Sequence, residues 1–302
     1  MKKIAVIGSN SFLAKNLIKK VSKGNDIYLY GKNIEKAGES LPFVSYINFD
    51  YPTVPLNIKS LLDYDVIVYT AAVGVQSNNR PANLLLYQVN LFLPIEIVTF
   101  LNDNKYKGKF ITFGSYFEIG TNDNIKLLDE IEVIRSAGTI SDSYCDSKRL
   151  LSNFYLNKQF NILWYHLILP SIYGPNENEN RLIPYVINNI KAKLDSKLSS
   201  GDQVRQYLFI SDLVDLIDRI ISTEVPSDVY NVASCTDSIK IKDLVSLIYE
   251  IMGEKQIGHS QIVTRDQGMT FLGLNTEKIM KVIPEWKPKV FLKEGIKKYL
   301  EV

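Results

Sequence analysis

The segment KIAVIGSNSFLAKNLIKKV, residues 3–21, decides the fold class. Lys3 to Ile7 is an apolar run without alternation, the pattern of a parallel strand covered on both faces. Gly8 ends the run, and Phe12, Leu13, Ile18 and Val21 then recur at helical spacing. A strand that turns through glycine into a helix is how a dinucleotide-binding unit opens. The turn must be tight, the backbone must come close to the pyrophosphate, and the helix amides hold the phosphates. Gly8 supplies the turn, while Ser11 and Ala14 stand where later glycines of G-x-x-G-x-x-G usually stand. Both are small, so the match is degenerate, and an ordinary strand–helix turn is the competing reading.

Working outward, further strands are predicted at Asp26–Tyr30, Val44–Phe49, Asp65–Tyr69, Lys109–Phe113 and Ile162–Leu169. Helices are predicted at Leu84–Leu101, with Pro94 expected to kink it or mark an altered turn, and at Ser143–Gln159. This alternation predicts an α/β protein, a Rossmann doubly wound parallel sheet with a smaller C-terminal α/β substrate-binding lobe. The expected division is residues 1–165 for the nucleotide and mainly 166–302 for the substrate, with some later segments returning to the first unit. A strand at Gln206–Ile210 and helices at Ile183–Leu194, Asp212–Ile221 and Lys242–Met252 belong to the second part. Ligands of such sheets sit outside the carboxyl ends of the strands. Gly8, Gly31, Asp50, Ala71, Ser115 and Pro170 all follow predicted strands.

Lys plus Arg is 35 and Asp plus Glu is 33, a net charge of +2 that argues against a nucleic-acid surface. It leaves room for a few local phosphate-binding cations. Cys145, Cys235, His166 and His259 are the only cysteines and histidines, too few and too dispersed for a disulfide framework or a zinc site. The apolar runs fall short of the ~20 residues that span a bilayer. Ile4–Ile7 is too short for a secretion signal. The expectation is a cytoplasmic enzyme with no membrane partner.

After the second predicted strand comes Tyr30-Gly31-Lys32-Asn33, without the acid that binds a ribose 2′-hydroxyl. Lys32 can pair with a 2′-phosphate, which favours NADP, with NAD possible; a solvated surface lysine is the plainer reading. Tyr144 and Lys148 stand four apart, on one face of a helix. An ammonium beside a phenol favours phenolate and makes the tyrosine a usable acid/base. By itself, that spacing is common by chance.

Together these features resemble the extended short-chain dehydrogenase/reductase superfamily, in its NAD-dependent epimerase/dehydratase, nucleotide-sugar branch. The resemblance runs nearly end to end. It includes the loop from Gly8 through Ser9, Asn10, Ser11, Phe12 and Leu13, and the Asp50-Tyr51 pair. It continues through Ala71-Ala72-Val73, Asn90, the strand ending at Ser115, and Tyr144 with Lys148. Leu169 to Pro175, Arg205 to Val214, Tyr230 to Ser234, Leu274 to Lys278 and Trp286 to Lys289 complete it.

The resemblance implies roles. Tyr144 would be the acid/base at a sugar hydroxyl or ketone, Ser115 would bond the same oxygen, and Lys148 would bind the nicotinamide ribose. The loop residues, Gly31, Lys32, Asp50, Tyr51, Ala71, Ala72, Val73, Asn90, Pro170 and Ile172 would surround the cofactor. Arg205 would take the substrate diphosphate, with Tyr116, Glu118, Ser171 and Arg181 as further substrate contacts and Tyr173 and Asn176 beside them. Ser171 departs from the asparagine many relatives carry. A homodimer paired through the helices near Leu84–Leu101 and Ser143–Gln159 is also implied.

Dehydratases of this branch carry Asp-Glu after the catalytic Ser/Thr, and the epimerase-reductases carry a cysteine two places on. Here Tyr116 and Phe117 stand there, which disfavours both chemistries. Cys145 is expected to be a packing residue. The resemblance then favours NADPH-dependent reduction of a nucleotide-linked 4-keto-6-deoxyhexose to the 6-deoxyhexose, for surface polysaccharide. An NAD-dependent nucleotide-sugar 4-epimerase is the alternative. A sugar dehydratase and a non-catalytic dinucleotide-binding regulator rank below both.

Overall fold

The computed structural model describes residues 1–32, 44–75, 82–123, 125–140, 142–234, 238–255, 260–261 and 268–301. Asn33, Cys235 and His259 lie outside these. The first half runs β1 (Lys3–Ile7), α1 (Phe12–Val21), β2 (Asp26–Gly31), β3 (Val44–Asn48), β4 (Val66–Tyr69), α2 (Asn83–Tyr87), α3 (Leu93–Asp103), β5 (Lys109–Ser115), α4 (Glu130–Ile134), α5 (Ser143–Asn157) and β6 (Leu163–Leu169). The second half runs β7 (Ser171–Tyr173), α6 (Leu182–Ala192), β8 (Lys197–Leu198), β9 (Val204–Phe209), α7 (Ile210–Ser222), β10 (Val229–Asn231), β11 (Ser238–Lys240), α8 (Ile241–Met252), β12 (Ser260–Gln261), β13 (Phe271–Leu272), α9 (Glu277–Val282) and α10 (Leu292–Leu300).

Seven parallel strands form the main sheet in the order β10-β6-β5-β4-β1-β2-β3. The strand order reverses between β1 and β4, so a crevice opens at their carboxyl ends. The apolar runs read in the sequence are these strands: β4 and β5 are buried at every position. On one face, Leu17 and Val21 of α1 pack with Leu213, Ile217 and Ile220 of α7. On the other, Ile97 and Leu101 of α3 pack with Leu151 of α5 and Trp164 of β6.

A smaller sheet is organised on β9. β11 joins it antiparallel, while β7 and β13 join it parallel at Tyr207–Phe209 and Val204–Arg205. A pair formed by β8 and β12 completes the strands seen among the described residues.

Pro94 does not break the long helix. A π-helical turn, Gln88–Phe92, separates α2 from α3 and leaves Pro94 in the first turn of α3, where its missing N–H is harmless. The run Asn83–Asp103 is 21 residues long and apolar enough to cross a membrane by length and composition, with half of its apolar window buried inside the protein. Polar residues such as Gln88, Asn90 and Glu96 interrupt it, so its uninterrupted apolar runs stay short of spanning length, as the sequence suggested.

Candidate active site

The crevice is a cleft of about 650 Å³ at the carboxyl ends of the central strands. Gly8 makes its floor possible. Its φ is +90°, and a Cβ there would strike the Ala71 backbone, so only glycine lets the β1 and β4 ends come together. Thr70 ties the same two ends, its Oγ1 donating to the carbonyls of Ile7 (3.0 Å) and Gly8 (2.9 Å). Ser11 caps α1, its Oγ accepting from the Ala14 amide at 3.1 Å. First-turn amides of a helix have no acceptor within it. Phe12 and Leu13, which carry such amides, both line the cleft, as do Asn10, Ser11 and Lys15.

Farther along the cleft lie Ser115 at the end of β5 and Tyr144 and Lys148 on α5. Asp142 caps that helix by accepting from the Cys145 amide at 2.9 Å. The Lys148 ammonium is 5.9 Å from the Tyr144 ring centroid and donates to the Phe113 carbonyl at 2.9 Å. Burial pushes Lys148 down to about 8, and the Glu118 charge opposes that fall. At neutral pH Lys148 remains mostly a cation.

The cleft wall also contains Ala71, Ala72, Val73, Pro170, Ser171, Ile172 and Arg181, and Asn176 beside them. Gly8, Ser9, Gly31, Lys32, Asp50 and Tyr51, expected around the cofactor, are not among the residues that line it. Lys32 forms an ion pair with Asp50. Asn90 is buried and holds the cleft loop from behind, bonding both backbone groups of Val73.

Four residues expected at the substrate are not on the wall. Arg205 is 2 % exposed and donates to the Val204 carbonyl at 2.7 Å, because β9 lies between β11 and the β7–β13 edge. Tyr116 is fully buried, and its hydroxyl is bonded to Ser171 Oγ at 2.8 Å, one layer behind the cleft. Glu118 is also fully buried; its Oε1 accepts from the Ser115 amide at 2.6 Å. Tyr173 is likewise buried in the core. Cys145 is buried, consistent with packing.

Sequence reading missed Lys15, Thr70 and Glu177. Glu177 is the one acid among the described lining residues. Its carboxyl is buried and pushed up to about 7, its Oε1 has no hydrogen-bond partner, and Arg181 Nε stands 3.7 Å from Oε2. Only the polar run Asn176–Asn180 marked this loop, and nothing in it signalled a buried carboxyl.

Residues 4–233 match the family described as NAD dependent epimerase/dehydratase. The chain belongs to that family. It is 24 % identical to CDP-abequose synthase from Salmonella muenchen, over 100 % of this chain and 98 % of that protein. It is also 24 % identical to GDP-6-deoxy-D-talose 4-dehydrogenase from Aggregatibacter actinomycetemcomitans, over 93 % of this chain and 91 % of the other. Among solved structures it is similar to UDP-glucuronic acid 4-epimerase from Bacillus cereus in complex with UDP-glucuronic acid and NAD, with a TM-score of 0.82, 17 % identity and 99 % of each chain covered. That likeness shows a Rossmann-like α/β fold. As an epimerase/dehydratase family enzyme, the protein carries its cleft where the family's doubly wound sheet opens.

Proposed function

We propose that this enzyme reduces a nucleotide-linked 4-keto-6-deoxyhexose to the 6-deoxyhexose with NADPH, in the cytoplasm and as a homodimer, for surface polysaccharide. The carrying observation is the composition of the reacting end of the cleft. Ser115, Tyr144 and Lys148 meet there, and the residues after Ser115 offer no acid or thiol to the cleft: Phe117 lines it, and Tyr116 is turned into the core. A carbonyl and hydroxyl couple needs only one proton donor and an oxygen-stabilising hydroxyl, which Tyr144 and Ser115 provide. Dehydration and carbon-acid epimerisation need further bases at that position.

The nucleotide end fits a dinucleotide. The tight Gly8 turn, the capped α1 start and Lys15 present amides and a cation to one wall, continuous with Ala71–Val73 and Ile172. A bound nicotinamide supplies hydride. Tyr144 delivers the proton to the C4 oxygen, Ser115 holds that oxygen as charge develops, and Lys148 keeps Tyr144 acidic and positions the ribose. Arg181, on the cleft wall, would be the cation for the substrate diphosphate. Residues 1–165 would then serve the cofactor and 166–302 mainly the substrate. Two relatives support a nucleotide-linked sugar by name, one a CDP sugar and one a GDP-6-deoxy sugar with dehydrogenase action at position 4.

A second reading, an NAD-dependent 4-epimerase, draws on one observation. Asp50 stands against Lys32 at the end of β2, so an acid is present near where a ribose hydroxyl would be bound. The test is cofactor consumption by the purified protein with dTDP-, CDP- and GDP-4-keto-6-deoxyhexoses. NADPH oxidation with one of them supports reduction. No consumption with any, together with interconversion of UDP-hexoses, replaces it with the epimerase reading.

A further inference from the structure

We propose that Glu118, outside the cleft, is the positioning residue of this active site. It anchors Ser115 and supplies the counter-charge that keeps Lys148 an ammonium. The inference rests on the reading of Ser115, Tyr144 and Lys148 as the reacting set.

Glu118 lies in the short 3-10 turn Tyr116–Ile119 that follows β5. Its Oε1 accepts from the Ser115 amide at 2.6 Å, while Ser115 Oγ accepts from the Phe117 amide at 3.3 Å. The Glu118 carbonyl accepts from Arg149 Nε at 2.7 Å. One residue therefore joins the turn that carries Ser115 to α5, the helix that carries Tyr144 and Lys148. Such a capping box is ordinary on a surface, where water solvates the carboxylate. Here the side chain is fully buried, its Oε2 has no close hydrogen-bond partner, and the Ser152 hydroxyl of α5 is the side-chain donor that faces it. A buried carboxylate is costly unless an opposite charge faces it as well.

The facing charges are Lys148 and Arg149, both from α5. From β6 comes His166, held between Thr112 Oγ1 and Ser152 Oγ at 2.8 Å each, and kept neutral by burial. The other elements packed on the turn, α4 and β13, contribute apolar side chains such as Val133, Ile134 and Leu272. Gly114 leaves the space that lets this cluster form: a Cβ there would be 2.7 Å from Glu118 Oε1 and 2.9 Å from His166 Nε2. Burial raises Glu118 to about 7 and lowers Lys148 to about 8, and each charge opposes the other's displacement. Removing the carboxylate charge leaves the Lys148 ammonium its bond to the Phe113 carbonyl but not the Glu118 charge that favours it, so it gives up its proton at lower pH.

The test follows Lys148 directly by NMR in protein labelled with [13Cε]lysine, its signal assigned by loss in Lys148→Met. Neither sugar nor cofactor is required, so a wrong substrate assignment leaves the result intact. In Glu118→Gln, which keeps the acceptor for Ser115 and removes the charge, the Lys148 midpoint falls by about one pH unit. The alkaline limb of turnover moves down with it. In Glu118→Asp, which keeps the charge and withdraws the anchor, the Lys148 midpoint stays near wild type while kcat drops. A folded Glu118→Gln protein with an unchanged Lys148 titration overturns the proposal and makes Glu118 a cap alone. If the glutamine variant does not fold, a Lys148 midpoint that falls in Glu118→Asp overturns it equally.

Discussion

The carboxamide of Asn90 is bonded to both backbone groups of Val73: Oδ1 accepts from the Val73 amide at 2.9 Å, and Nδ2 donates to the Val73 carbonyl at 2.9 Å. The same Nδ2 reaches Ser147 Oγ at 3.1 Å, and Ser147 donates to the Tyr144 carbonyl at 2.7 Å. Asn90 sits in the π-helical turn, which aims it at the loop after β4. It thus ties the cleft wall at Val73 to the helix that carries Tyr144. Asn90→Ala should lower stability by about 2 kcal/mol, as buried partners are left unpaired. It should also weaken NADPH binding about tenfold. Urea unfolding and fluorescence titration check the two effects, and unchanged values for both would remove Asn90 from the site's support.

Lys32 and Asp50 form an ion pair whose side chains are 58 % and 35 % exposed, so it adds little to stability. Its expected role is selectivity. Lys32→Ala should weaken NADPH about tenfold and leave NADH nearly unaffected, because only the former carries a 2′-phosphate. Parallel titrations with both cofactors read this. An equal loss for the two, or none, would make Lys32 a surface charge.

Stability should depend on pH through two buried groups of opposite sense. Burial pushes His166 down to about 3 from an ordinary 6.5. The neutral ring's stabilisation is therefore complete above 6.5 and is lost as pH falls from there through about 3. Glu177 is pushed up to about 7 from 4.5, so its contribution is complete below 4.5 and is lost as pH rises through about 7. Glu177→Gln should become more stable relative to wild type on going from about pH 5 to about pH 8. Denaturant midpoints across that range measure it; a constant difference would show that Glu177 ionises normally in the folded protein.

Leu84, Phe92 and Leu150 are 67 %, 56 % and 42 % exposed on the helical segments α2, the π turn and α5, which pack together. If the proposed homodimer forms through these helices, Phe92→Glu should shift the protein to monomer in sedimentation or light scattering while its circular dichroism is retained. A variant that keeps wild-type mass would move the interface elsewhere.

The central sheet was legible because strands buried on both faces read as apolar runs, as at Ile4–Ile7 and Phe110–Phe113. The smaller sheet was less so: β7, β11 and β13 are two or three residues long and are held by β9 instead of by patterns of their own. That Ser115, Tyr144 and Lys148 line one cleft was legible because spacing and strand ends carry it. Arg205, Tyr116 and Glu118 were not, since polar residues are ordinarily exposed and burial of one leaves no local mark. Asp50 shows a similar gap. An acid does reach the end of β2, but it arrives from just beyond β3, outside the segment where it was sought.

The central claim is hydride delivery to C4 of a nucleotide-linked hexose with Tyr144 as proton donor. Its most direct test uses NADPH deuterated on the transferring face, with the active 4-keto-6-deoxyhexose from the panel, for wild type and Tyr144→Phe. The account predicts one deuterium at C4 of a 6-deoxyhexose product, equal in amount to cofactor oxidised, and a rate at least about 100-fold lower in the variant. Unlabelled product with no net cofactor consumption, or a Tyr144→Phe variant that turns over as fast as wild type, would contradict it.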